Sequence, residues 1–220
     1  GLQAIAEFTL LGPTTLEVDL LNTSTGAPPG FDNSDQILTG VSWDFNPPGP
    51  LRFTAITSGM VVIGPTSSTI NFDTGSYGPG TNVSGEWGFG NMDGTGALFN
   101  FVSSNGAAAT PFGGPNLDGP QSQDGPQAGL VANPPAIPLD GLGAVQNEVI
   151  ATLSLSAPLP NLDFLAANGV RVEFGSDAGF ITVPEPATGM LLLSAGLACR
   201  GRSRRESRTD TYVKRKRAGV

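Results

Sequence analysis

Histidine is absent from the 220-residue sequence, and cysteine occurs once, at Cys199. The lack of histidine excludes Ser-His-Asp and Cys-His catalysis together with the common zinc sites. The single cysteine permits no intrachain disulfide, so a folded domain of this chain must be held by packing alone. Carboxylate pairs of the glycosidase type remain available, but no motif distinguishes one pair from the others. We therefore predict a protein that is not an enzyme, with no cofactor and no resident metal.

Positive charge is almost missing before residue 200. Residues 1–199 hold two basic residues, Arg52 and Arg171, against 17 Asp and Glu, which gives a net charge of −15. Residues 200–220 hold nine Lys and Arg against two acids, which gives +7. Because a domain with two cations cannot neutralise enough phosphates, nucleic acid is excluded as a partner. The chain thus has an acidic body and a basic tail.

Long hydrophobic runs are also missing, apart from the 13 residues at 187–199 (ATGMLLLSAGLAC). As a helix this run would be about 20 Å long, shorter than the hydrocarbon core of about 30 Å, so it predicts a transmembrane segment that anchors only temporarily. Val183-Pro184-Glu185-Pro186 precedes it in an extended conformation, and Arg200, Arg202, Arg204 and Arg205 follow it. Arginines after an apolar helix stay in the cytoplasm, so residues 1–182 are predicted to be exported. The alternative is a buried C-terminal core helix with a solvated basic tail.

The order of these features resembles the PEP-CTERM sorting signal of exosortase-processed surface proteins in Gram-negative bacteria. Pro184-Glu185-Pro186, the apolar segment and the arginine cluster carry the resemblance, although this tail continues to Lys214-Arg215-Lys216-Arg217. The resemblance implies export through the Sec system, recognition of the motif by a membrane-embedded exosortase, and delivery to the cell surface or an exopolysaccharide (biofilm) matrix. Export requires a signal peptide and none is visible at Gly1, so we expect the numbering to begin after its removal.

The acidic body is patterned as short β-strands. Leu16, Val18 and Leu20, for example, alternate with polar residues, which predicts a strand with one buried and one solvent-exposed face. Gly12-Pro13 before them predicts a hairpin. Strands are predicted at 3–11, 14–21, 36–45, 51–56, 59–63, 69–73, 86–90, 97–102, 129–132, 149–156 and 170–174, with one or two helical turns at 160–167. The pattern predicts an all-β fold, an antiparallel β-sandwich or jelly roll, with a short C-terminal hydrophobic helix.

The predicted organisation has four parts. Residues 1–182 form the exported ectodomain, from which the Gly/Pro-rich segment 103–143 makes a long surface excursion. Residues 183–186 are the sorting motif, 187–199 the transmembrane segment and 200–220 a basic cytoplasmic tail.

Two further kinds of site can be built from the ectodomain. A sugar-stacking platform would use the aromatic residues of alternating strands, although core packing is the simpler explanation; these residues are Trp43, Trp87, Phe89, Phe99 and Phe101. Calcium would use oxygen-rich turns, which are Asp32-Asn33-Ser34-Asp35, Asn91-Met92-Asp93-Gly94 and the repeats that begin at Asp118 and Asp124. Asp, Asn and Gly are also ordinary turn formers and no D-x-D-x-D-G loop occurs, so structural turns are favoured. Asn22 and Asn82 begin N-glycosylation sequons, which arise frequently by chance.

Together these observations predict a non-catalytic exported protein of the cell surface or exopolysaccharide matrix, sorted and processed by exosortase. Its expected partners are exosortase, the membrane through residues 187–199, and extracellular polysaccharide. A carbohydrate-binding or calcium-binding adhesin module is the alternative. An extracellular hydrolase, with two facing carboxylates in a cleft, is the second alternative.

Overall fold

Thirteen β-strands and one 3₁₀ turn form the part of the chain that the computed structural model describes. That part comprises residues 1–26, 36–44, 54–72, 74–91, 99–105, 109–115, 117, 128–133, 143–163, 165, 169–175 and, for the backbone, 179–182. The strands are β1 Ala4–Gly12, β2 Thr15–Asn22, β3 Leu38–Asp44, β4 Ile56–Ile63, β5 Ser68–Ile70, β6 Gly88–Gly90, β7 Phe99–Ser103, β8 Thr110–Pro111, β9 Leu130–Val131, β10 Ala144–Gln146, β11 Glu148–Leu155, β12 Val170–Phe174 and β13 Gly179–Thr182. The 3₁₀ turn is Ser84–Glu86.

The strands form two sheets. The first sheet has the order β1-β2-β11-β4, and all its pairs are antiparallel. The second has the order β5-β10-β9-β3-β7-β6-β8, with β12 on β3 and β13 on β12. The pair β9–β10 is parallel. The all-β prediction with an antiparallel two-sheet architecture is therefore confirmed.

One hydrophobic core is shared by the two sheets. Leu16, Val18 and Leu20 of β2 are buried, as their alternation predicts. Phe8 of the first sheet meets Trp43 of the second edge to face, with ring centroids 5.2 Å apart. Both side chains are almost wholly buried, so this aromatic pair joins the inner faces of the sheets.

Strand β4 differs from its prediction, which divided it into two strands around residues 57 and 58. The structure has one continuous strand, and Gly59 lies within it rather than breaking it. A Cβ at Gly59 would lie 2.9 Å from the carbonyl oxygen of Thr152 and 2.7 Å from Phe112. This glycine is therefore needed for the close approach of neighbouring groups.

Three smaller predictions concern the position of β11, the conformation of Gly169 and the strands within residues 103–143. β11 is an inner strand of its sheet, as its length suggests. Gly169 has φ 68°, the left-handed exit predicted after the turn at 160–167. The predicted surface excursion contains β8 and β9, of which β9 was predicted.

The predicted C-terminal helix at 187–199 lies outside the described residues. Among the residues that the structure describes, no helix has the length and apolar character needed to cross a membrane.

Candidate functional site

The C-terminal end of the described fold is a hairpin of β12 and β13, here called the C-terminal hairpin. Its register places Arg171 opposite Thr182 and Phe174 opposite Gly179. β12 also pairs with β3 on its other side, whereas β13 pairs only with β12 within the described part of the chain. Among the described strands, β13 is thus an edge strand with one neighbour.

β12 is held firmly from three directions. Val170, Val172 and Phe174 are buried in the common core. On the opposite face Arg171 forms a bidentate ion pair with Asp44, with nitrogen–oxygen distances of 2.9 and 2.6 Å. Backbone pairing to β3, core packing and this ion pair together fix β12 in place.

Glu173 is a buried carboxylate on the same face as Arg171. Asn105 Nδ2 donates to its Oε1 at 3.2 Å, and Ser103 Oγ donates to its Oε2 at 3.4 Å. Burial raises the pKa of Glu173, and the two hydrogen bonds oppose that rise because they favour the charged form. This polar cluster ties β12 to the end of β7.

The predicted sorting residues follow β13 directly in the chain. Val183, Pro184, Glu185 and Pro186 lie outside the described residues, as do Arg200, Arg202, Arg204 and Arg205. What the structure establishes is the starting point: Thr182, the residue before Val183, is the last residue of β13. The chain therefore enters the predicted motif from a paired strand.

A family model for the PEP-CTERM protein-sorting motif matches residues 182–205. The C-terminal part of this chain therefore carries a PEP-CTERM protein-sorting motif. The matched range contains the predicted motif at 183–186, the apolar run and all four predicted arginines. The motif suggests exosortase-dependent sorting of a surface protein and implies export with transient membrane anchoring. No curated protein and no solved structure matches the chain significantly.

The aromatic residues predicted as core or sugar platform separate into two groups. Trp43 and Trp87 are 0% exposed, which confirms core packing for both. Phe89 stacks on Phe112 at 5.0 Å and packs against the same core. Phe99 and Phe101 lie on the outer face of the second sheet, because their strand partners are Asp44 and Ser42 rather than the inward-facing Trp43.

The outer pair lies beside β12, and Phe99 is itself only 9% exposed. The guanidinium carbon of Arg171 lies 5.9 Å from the ring centroid of Phe99. The side chains of Arg171 and Asp44 are 32% and 33% exposed, and Phe101 is half-buried. Gly90 lies beneath the Phe101 ring, where any Cβ would overlap it. We call Phe99, Phe101, Arg171 and Asp44 the aromatic–arginine patch.

Asn91 is the one proposed calcium ligand that lies among the described residues, and its side chain has a structural role. Its Oδ1 accepts from the Ile56 N–H at 2.7 Å, and its Nδ2 donates to the Ile56 carbonyl at 3.0 Å. The other proposed calcium ligands, residues 32–35, 93, 118 and 124, lie outside the described residues. Among the described residues no group of three or more acidic or thiol side chains is arranged to hold a metal.

The sequon asparagines also have structural partners. Asn22 is 1% exposed, and its Nδ2 donates to the carbonyls of Gln36 and Leu130, both at 2.7 Å. Asn82 Oδ1 accepts from the Ser84 N–H at 2.9 Å. Asn22 thereby links the end of β2 to the second sheet, since Leu130 belongs to β9.

Four carboxylates meet on the outer face of the first sheet, and we call Glu7, Glu17, Asp19 and Glu148 the acidic face. Glu7 lies directly opposite Asp19 in the β1–β2 pair, and Glu148 comes from β11 on the other side of β2. The Glu148 side chain lies over Gly64, where a Cβ would overlap it. Like charges on adjacent strands repel, so this arrangement favours uptake of a proton.

Asp19 carries the clearest electrostatic consequence of this arrangement. Burial, then the charge of Glu148 and a hydrogen bond with it, raise the pKa of Asp19 from 3.8 to about 7, and Glu7 and Glu17 add to the rise. Because Asp19 and Glu148 share a hydrogen bond, they are closer than the roughly 5 Å that separates the carboxyls of retaining glycosidases.

Sequence reasoning missed β13 and the acidic face. Gly179–Thr182 is too short to show a strand period, and its pairing depends on β12. The outward direction of Glu17 and Asp19 was readable from alternation, but Glu148 joins them only through the β2–β11 pairing.

Proposed function

We propose that this protein is a non-catalytic component of the cell surface or extracellular polysaccharide matrix, delivered by export and processed by exosortase at Pro184-Glu185-Pro186. The observation that carries the proposal is the sorting-motif match at 182–205, which spans the motif, the apolar run and the arginines. The acidic body supports it, because a net charge of −15 before residue 200 keeps an exported protein soluble in a hydrated matrix.

The proposed topology places residues 1–182 outside and the arginines inside. Residues 187–199 hold the precursor in the membrane until exosortase acts, and their short length suits temporary anchoring. Arg200, Arg202, Arg204 and Arg205 stop transfer at the cytoplasmic surface.

The test replaces Pro184, Glu185 and Pro186 with alanine in a host that has exosortase. The variant is expected to stay in the membrane fraction, while the wild-type protein appears outside with an intact mass that ends before the arginines. Replacement of Pro158 and Pro160 by alanine is the matched control, since these exposed prolines have the same spacing within the ectodomain. Normal delivery of the triple-alanine variant, or a mature form that retains the arginines, would overturn the proposal.

A second candidate function, polysaccharide binding, is favoured by the aromatic–arginine patch. The Arg171 guanidinium lies beside Phe99, and Phe99 in turn adjoins the half-buried ring of Phe101, with ring centroids 6.1 Å apart. A partly exposed ring with a guanidinium and a carboxylate nearby offers stacking and hydrogen bonding, which is the chemistry that sugars need. Phe101→Ala is expected to abolish retardation of the protein in gels that contain the host's exopolysaccharide. Met60→Ala, on the first sheet and 46% exposed, is the control. Absence of retardation for the wild-type protein would refute this candidate.

A further inference from the structure

The C-terminal hairpin places a folded strand immediately beside the processing site. β13 runs Gly179–Thr182, and the sorting-motif match begins at Thr182, inside that strand. No spacer of free sequence therefore separates the described fold from the segment that exosortase recognises. The last paired residue of β13 is also the first residue of the matched motif.

The reach from the fold to the motif is correspondingly short. Glu185 is the third residue after Thr182, so at full extension it lies at most about 11 Å from the strand end. The apolar run begins five residues after Thr182, within about 18 Å. A domain of this size has a radius of gyration of about 16 Å, so its bulk would lie against the lipid headgroups while residues 187–199 are inserted.

Enzyme clefts bind peptide substrates as extended segments that need access to their backbone edges. With β13 in place, the residues before Val183 have one edge occupied by β12, and the folded body follows directly behind them. Detachment of its four residues would extend the reach by about 14 Å. It would also free the backbone that now pairs with β12.

The two strands of the C-terminal hairpin differ in how many contacts hold them in the fold. β12 is fixed by core packing, by β3 and by the Arg171–Asp44 ion pair, so its release would disrupt the fold. β13 has a single strand neighbour within the described residues. Short edge elements with few partners open locally at far lower free-energy cost than inner strands.

We propose that β13 must detach from β12 before exosortase can process the protein, so that the paired hairpin protects the motif and the opened hairpin presents it. The inference rests on the proposed exosortase processing and adds a conformational step to it. It assigns Gly179–Thr182 a positioning role, since this strand acts through the accessibility of the motif.

A reversible cross-link between β12 and β13 tests the step in the full-length protein. Val172 and Ile181 are directly opposite in the register, so the pair Val172→Cys and Ile181→Cys can be joined by a disulfide after export. The background is Cys199→Ser, which removes the one native thiol. Processing is followed as the ratio of mature to precursor protein in exosortase-containing cells, with and without reductant, and thermal unfolding verifies that both forms fold.

The cross-linked form is expected to be processed at least tenfold more slowly than the same variant after reduction. Insertion of twelve Gly and Ser residues between Thr182 and Val183 should restore processing of the cross-linked form, because the motif then gains reach without opening of the hairpin. Equal processing of cross-linked and reduced forms would overturn the inference. A block that persists in the cross-linked spacer variant would also overturn it, because reach would not be limiting.

The same experiment separates this inference from the proposed function. The proposed function fails if the wild-type chain is not processed. It also fails if the variant with alanine at Pro184, Glu185 and Pro186 is processed. If both behave as expected and only the cross-link has no effect, the detachment step alone fails.

Discussion

Replacement of Asp19 by asparagine should stabilise the protein at alkaline pH and leave it almost unchanged in acid. In the folded state burial, and after it the other carboxylates of the acidic face, raise the pKa of Asp19 from 3.8 to about 7. The folded protein therefore holds this proton more tightly than the unfolded chain does. The free energy of unfolding falls as the pH rises from about 4 to about 7, because the folded state must then give up the proton that its neighbours favour.

The magnitude follows from the pKa difference with a correction for solvent. A rise from 3.8 to about 7 corresponds to roughly 4 kcal/mol at 1.36 kcal/mol per pH unit. Asp19 is only partly buried, so water and salt screen much of this penalty, and we expect about 1 to 2 kcal/mol. Asparagine keeps the shape, carries no charge, and can donate to the Glu148 carboxylate. For a domain of this size the gain corresponds to a rise in Tm of about 2 to 8 °C.

The assay is urea and thermal unfolding of wild type and Asp19→Asn at pH 4 and pH 8. The two proteins should have nearly equal free energies of unfolding at pH 4, and the variant should be more stable at pH 8. Asp163→Asn makes the same change of charge at an exposed position outside the sheets and should shift stability by less than about 0.5 kcal/mol at either pH. A variant that is less stable than wild type at pH 8, or an effect that does not depend on pH, would refute the reasoning.

Three further substitutions test the packing. Trp43→Ala removes a fully buried ring that contacts Phe8 and should lower the free energy of unfolding by about 3 to 5 kcal/mol in urea titrations. Asn22→Ala removes the donor of two buried hydrogen bonds and should cost about 2 to 4 kcal/mol. A loss of less than about 1 kcal/mol would contradict the bridging role. Gly90→Ala drives a methyl group into the Phe101 ring and should cost about 1 to 3 kcal/mol. Most of that cost should disappear in the double variant with Phe101→Ala, and additive losses would show that the two positions are independent.

Features encoded by local sequence were predictable, and features created by distant strand pairing were not. The β1–β2 hairpin follows from two strand-like runs on either side of Gly12-Pro13, of which the second alternates cleanly, and the structure confirms it. The sorting motif could also be predicted from the sequence, because it is a continuous run of residues with a fixed order. Such signals need no knowledge of the tertiary structure.

The acidic face shows why the remainder could not be predicted. Its carboxylates come from β1, β2 and β11, and Glu148 lies more than 120 residues after Asp19 in the chain. Their proximity depends on the sheet order, which the strand pattern alone leaves open. The continuity of β4 through Gly59 is similar, since the glycine reads as a strand break until its close neighbours are known.

The buried amide of Asn22 has a consequence for producing the protein in other hosts. Its nitrogen is the atom that a glycosyltransferase would modify in Asn22-Thr23-Ser24. In the folded protein this nitrogen donates to the carbonyl of Gln36, which precedes β3, and to the carbonyl of Leu130 in β9. A glycan could be attached only before the two sheets close, and once attached it would hold them apart. Secretion through a eukaryotic pathway is thus expected to yield misfolded glycoprotein, and removal of the sequon by Ser24→Ala, which keeps Asn22, should restore folding.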